Sequence, residues 1–182
     1  MRTIVILSNH HLYTYNLRKD IIQALIDTGN RVVLVLPYGD RVLLLRKMGC
    51  EFIDVPLDRR GTNPFVDLKL IIRYFEILRS VNPNVVLSYT VKPNIYGGLA
   101  CRILNLPFIP NVTGLGTAME NRSIVQRLLT VMYRVSFKGA NCVFFQNEKN
   151  KEFFDRESIK VKKHRLIPGS GVNLTQHCFE EY

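Results

Sequence analysis

Seven short apolar runs recur along the chain, and most are continuous and β-branched rather than alternating. They read "TIVILS" (3–8), "RVVLVLP" (31–37), "EFIDVP" (51–56), "NVVLSY" (84–89), "PFIPNV" (107–112), "NCVFFQ" (141–146) and "HRLIPG" (164–169). A strand with water on one face alternates polar and apolar residues. A strand covered on both faces does not, which marks parallel sheets. Helical periodicity fills the gaps at 14–28, 40–48, 65–81, 93–105 and 123–138. Gly29, Gly49, Asn82-Pro83 and Gly139 stop four of these helices. Strands alternating with helices predict an α/β fold: a Rossmann-like, doubly wound parallel sheet of about seven strands with right-handed crossovers.

In the helix at 14–28, Leu17, Ile21 and Leu25 are expected on the buried face and Arg18 and Lys19 off it. The domain is expected over 1–168. The stretch "IPGSGVNLTQHCFEEY" carries glycines and no further element, so 169–182 reads as a hinge leading to an absent second domain. None of the apolar runs is long enough to span a bilayer. The start reads as a first strand rather than a signal peptide, so a cytoplasmic protein is expected. Cys50, Cys101, Cys142 and Cys178 are widely spaced with no CxxC pair, which predicts reduced thiols and no metal site. The net charge of +10 favours acidic partners. Without an aromatic-basic or zinc-finger motif, nucleic acid is not expected among them.

In an open parallel sheet, ligands bind beyond the carboxyl ends of the strands. Four loops stand there. After the first strand, Asn9, His10, His11, Tyr13 and Tyr15 replace the glycines of a dinucleotide loop and offer polar and stacking contacts suited to a sugar. After the third, Arg59 and Arg60 can fork onto phosphate or carboxylate, with Gly61 freeing the backbone. After the fourth, "YTVKPNIYGGLACR" places Pro93 in a first helical turn and Gly97-Gly98 further in, where close packing would explain both. Lys92 and Asn94 are not so explained. They suit an anion held at an exposed helix mouth. After the fifth, Thr113, Gly114 and Gly116 could form a small amide nest or a simple turn.

Together "DRRGTNPFVDLKLI", "VNPNVVLSYTVKPNIYGGLACR", "NVTGLGTAME" and "LIPGSGVNL" resemble the amino-terminal domain of family-four, GT-B-fold bacterial glycosyltransferases of the capsular, O-antigen and lipid-linked oligosaccharide type. The resemblance covers roughly 3–175. It implies retaining transfer of a sugar from a nucleotide-sugar donor to a saccharide or undecaprenyl-diphosphate-linked acceptor, with no metal or other cofactor. Its amino-terminal domain holds the acceptor. The donor site and paired glutamates lie in the second domain, so the fragment alone should be inactive. Asn9, His10, His11, Tyr13, Arg59, Arg60, Lys92, Asn94, Thr113, Gly114 and Gly116 would line the acceptor side. No catalytic base is identified. A stand-alone flavodoxin-like nucleotide-binding or regulatory module is the alternative.

The helix at 123–138 carries Arg127, Arg134 and Lys138 on one stripe, opposite Val125, Leu128, Leu129 and Met132. That pattern fits peripheral contact with an anionic membrane at the inner face of the plasma membrane, and equally an ordinary half-buried helix. "KVKKHR" (160–165) would extend a basic surface.

Overall fold

The computed structural model describes residues 1–59, 61, 63–115 and 124–171, with the backbone alone for 124 and 125. The elements run β1 (Thr3–Leu7), α1 (His11–Asp27), β2 (Arg31–Leu36), α2 (Val42–Lys47), β3 (Glu51–Asp54), α3 (Pro64–Val81) and β4 (Val85–Tyr89). A π-helical turn (Pro93–Gly97) then leads into α4 (Gly98–Leu104), followed by β5 (Phe108–Val112), α5 (Ile124–Phe137), β6 (Val143–Phe145), α6 (Glu148–Arg156) and β7 (His164–Leu166).

All seven strands join one sheet in the order β3-β2-β1-β4-β5-β6-β7, and every pairing is parallel. Chain order reverses between β1 and β4, where a doubly wound sheet opens its ligand crevice. The central strands are buried on both faces, as their continuous apolar runs require. The outer strands are not. β3 is partly exposed and β7 fully so; among the described residues each has a strand neighbour on one side only.

Two cores flank the sheet. One gathers Val5, Leu7, Val86, Phe108, Tyr133, Phe137, Phe145 and Phe154 beneath α3 to α6. The other gathers Ile4, Ile6, Leu34, Leu36, Ile22 and Leu45 beneath α1 and α2. The two glycines of the fourth helix are packing glycines. A Cβ on Gly97 would lie 2.3 Å from Leu7 Cδ1. One on Gly98 would lie 2.9 Å from Phe108 Cε1 and 3.0 Å from Ser136 Cβ. At Gly98 the Phe108 ring and Ser136 of α5 leave little room for a side chain, whereas at Gly97 one would have to displace the end of the Leu7 side chain.

Several expectations need correction. α1 begins at His11, not residue 14, because His10 caps it: Leu12 N donates to His10 Nδ1 at 3.1 Å. α6 lies in a stretch assigned to no element, started by the Asn147 side chain, which accepts from Asn150 N at 2.8 Å. The buried face of α1 is Thr14, Arg18 and Ile22, while Leu17 and Ile21 are 43% and 41% exposed. On α5, Leu128 is exposed beside Arg127, and Arg134 is spent on donating to Glu157 O. Cys50 and Cys101 are buried, and burial pushes their thiols up to about 11 and about 12, so both are inert. Cys142 is partly buried and unbonded, and Cys178 and Val125 lie outside the side chains described.

Candidate functional site at the carboxyl edge of the sheet

The loop after β1 supplies a compact polar cluster. The His10 and His11 rings stack with centroids 4.6 Å apart, and Tyr13 tilts against His10 at 5.0 Å. Arg59 crosses over from the loop after β3, with its guanidinium carbon 5.3 Å from the Tyr13 ring centroid. Sequence reasoning predicted His10, His11 and Tyr13 from one loop and Arg59 from another, and the fold brings the two loops together. His11 is seated against the loop after β2, where a Cβ on Gly39 would lie 2.1 Å from His11 Nε2. Arg41 N donates to His11 Nδ1 at 3.4 Å.

This geometry bears on the chemistry His10 can do. Its Nδ1 accepts from the helix, so a neutral ring carries its proton on Nε2. Burial first, then the neighbouring His11 and Arg59, hold its pKa below the usual imidazole value. Near neutrality His10 therefore presents an N–H donor rather than a base.

A second group lies at the switch point. Thr90, just beyond β4, has φ of +73°, a left-handed conformation that disfavours a β-branched side chain. Among the described residues its buried hydroxyl oxygen has no partner, and neither have the buried amide oxygens of Asn9 and Asn111. The register pairs Leu7 with Ser88 and Tyr89 with Asn111. Asn9, Thr90 and Asn111 thus stand at the carboxyl ends of three adjacent strands. Backbone strain and orphaned polar atoms gather at sites that bind. No local sequence signal marked Thr90 or Asn111.

The other predicted residues fare differently. Asn94 is fully buried and spent internally. Ser88 Oγ and Asn94 Oδ1 are hydrogen-bonded at 2.6 Å, and Asn94 Nδ2 donates to Asn111 O at 3.0 Å. It pins the π-helical turn to β4 and β5, so the expectation of a free ligand-binding amide is corrected. Lys92 is not the exposed lysine of a helix mouth. Its Nζ donates to Asp67 Oδ1 at 2.6 Å, with the two side chains 13% and 16% exposed. Helix already precedes it at Val91, so neither Lys92 nor Pro93 opens a bare amide end. Tyr96, buried close to the same carboxylate, has its pKa raised by burial first and then by Asp67. Thr113 and Gly114 follow β5, partly exposed. Arg60 and Gly116 lie outside the described residues. Among the described residues, no group of His, Cys, Asp and Glu could hold a metal ion.

Comparisons with known proteins give this edge a family. A glycosyltransferase of Rickettsia africae superposes with a TM-score of 0.68 at 20% identity, covering 91% of this chain and 42% of its own. The UDP-GlcNAc 2-epimerase of Methanocaldococcus jannaschii gives 0.64 at 17%, covering 92% and 45%. Likeness at these identities shows the shared fold alone. In sequence, the chain is 31% identical over 165 residues to a Campylobacter jejuni protein named N,N'-diacetylbacillosaminyl-diphospho-undecaprenol alpha-1,3-N-acetylgalactosaminyltransferase. The match covers 88% of this chain and 44% of the relative, so the chain spans under half of that protein's length. Residues 3–147 match the family described as glycosyl transferase 4-like, and the chain belongs to that family.

Proposed function

We propose that the chain is the acceptor-side, amino-terminal half of a retaining glycosyltransferase, residues 1–168, with a hinge from 169. Its second domain would hold the nucleotide sugar. The observation that carries this is the polar edge of the sheet, where His10, His11, Tyr13 and Arg59 converge beside the strained switch point. Donor groups and aromatic faces suit a saccharide, and Arg59 suits a phosphoryl group. The Campylobacter relative, named for a diphospho-undecaprenol-linked sugar, supports a lipid-diphosphate acceptor and a role in cell-surface polysaccharide assembly. Gly169 and Gly171, with φ of +70° and +76°, support a hinge that begins where β7 has ended.

The test is transfer by the full-length protein. Nucleotide sugars are supplied in turn with an undecaprenyl-diphosphate-linked saccharide, and mass spectrometry looks for one added hexose or N-acetylhexosamine. No transfer from any donor, with saturable nucleotide binding to this half alone, would favour the stand-alone nucleotide-binding module.

Membrane contact belongs to the same reading. Among the described residues no helix is long and apolar enough to cross a membrane. The first turns of α3 instead expose Phe65 (76%), Val66 and Leu68 to solvent, beside exposed Lys69. Exposed apolar side chains beside a lysine fit an anionic lipid surface. Cosedimentation with phosphatidylglycerol vesicles, lost in a Phe65→Ser, Leu68→Ser variant and absent with phosphatidylcholine, is the expected result.

A further inference from the structure

α1 turns one of its charged residues, Arg18, inward and two apolar ones outward. Leu17 and Ile21 face solvent, while Arg18 keeps only 6% of its surface exposed. Its guanidinium carbon sits 4.3 Å above the Tyr89 ring centroid. Nη1 donates to Leu17 O at 3.3 Å. Among the described residues, that is the one of its five N–H donors in use. No carboxylate among the described residues pairs with it. Burying a charge without a counter-ion is strongly unfavourable, and stability alone would place Leu or Met there.

The surroundings are polar in a patterned way. Tyr89 ends β4 at the switch point, and its register partner on β5 is Asn111. Register partners share a face of the sheet, so Asn111 lies on the Arg18 side. Asn111 is 7% exposed, and its amide oxygen has no donor among the described residues. Ser8 and Thr14, both buried, hydrogen-bond through their hydroxyls at 2.8 Å at the amino end of the same helix. Helical side chains lean toward the helix amino terminus, so Arg18 reaches back toward the strand ends.

We infer that Arg18, Tyr89 and Asn111 form a subsite for a sugar phosphate, in which Arg18 takes a phosphoryl oxygen and the Asn111 amide oxygen accepts from a hydroxyl or acetamido N–H of the same ligand. An unpaired buried cation calls for an anion, and an orphaned carbonyl calls for a donor. A phosphorylated sugar supplies both within one molecule, whereas inorganic phosphate supplies the anion and lacks the sugar's donors. The sugar-phosphate identity builds on the proposed acceptor-side role, while the demand for an anion stands on Arg18 alone.

The test uses small probes on the full chain and no transfer assay, so it can fail independently of the glycosyltransferase reading. The Arg18 Nε–H resonance is followed by NMR during titration with pyrophosphate, inorganic phosphate and N-acetylglucosamine 1-phosphate. Saturable movement with the phosphorylated probes is expected, tightest with the sugar phosphate. Arg18→Gln should weaken binding about ten- to a hundredfold, the range for a charge-assisted hydrogen bond. Asn111→Leu should erase the preference for sugar phosphate over inorganic phosphate. A wild-type Arg18 resonance that no probe moves overturns the inference, whatever the variants do. So does unchanged affinity in a folded Arg18→Gln. Saturation by inorganic phosphate as tight as by the sugar phosphate overturns the role of Asn111.

Discussion

Lys92 and Asp67 meet at 2.6 Å across 25 residues of chain, tying the start of the fourth helix to the first turn of α3. Both side chains are largely shielded from water, so the pair behaves as a buried ion pair rather than a surface one.

Lys92→Ala strands the Asp67 carboxylate in that environment and should cost about 3 kcal/mol of folding stability. Combining it with Asp67→Leu should recover much of the loss, because the uncompensated charge is gone. Urea denaturation of the single and double variants measures both. A loss within about half a kcal/mol, the range of ordinary surface positions, would place the lysine in solvent.

Gly98→Ala should destabilise by about 1–3 kcal/mol, the usual range for overpacking, despite alanine's better helix propensity. The new methyl would press on Phe108 and Ser136 together. The same change at Gly114, where no described atom lies within 4 Å of a Cβ, should be nearly silent and serves as the control.

Tyr133 lies in a ring cluster with Phe137 and Phe154, at centroid distances of 5.2 and 5.4 Å. Its hydroxyl is buried with no partner among the described residues. Tyr133→Phe keeps the ring and removes the unsatisfied group, so stability should rise by about 1 kcal/mol. A drop in melting temperature would mean that the hydroxyl is satisfied in solution.

His10 links stability to pH. Its folded pKa is lowered, chiefly by burial and then by His11 and Arg59, from an ordinary value of 6.5. Between the lowered value and 6.5 the unfolded chain binds more protons than the folded one. The contribution of His10 is therefore fully present above 6.5 and lost as pH falls through that window. Protonating Nδ1 also removes the cap on α1. Melting temperatures from neutral to mildly acidic pH should fall less steeply in His10→Asn, which caps without titrating. Identical slopes would remove His10 from the linkage.

The sheet was legible because its inner strands bury both faces, and that leaves an unbroken apolar run in the sequence. α6 was not, since "EKNKEFFDR" offers only Phe153 and Phe154 to a periodicity search, although Asn147 signals a cap. The face of α1 misled for a related reason. Periodicity assumes that apolar side chains go inside, and here Arg18 does so while Leu17 does not. His10, His11, Tyr13 and Arg59 were found from their position after strands. Lys92 and Asn94 were misread because their partners, Asp67 and Asn111, are 25 and 17 residues away and leave no local trace.

β7 closes one side of the sheet with all three residues exposed, and among the described residues no strand lies beyond it. Its outer N–H and C=O groups form a template that any sticky extended segment could extend. Exposed Lys160, Lys162, Lys163 and Arg165 crowd that margin with like charge. Like charge along an edge disfavours pairing with the same edge of a second molecule, an effect that strengthens at low ionic strength and fades as salt screens it.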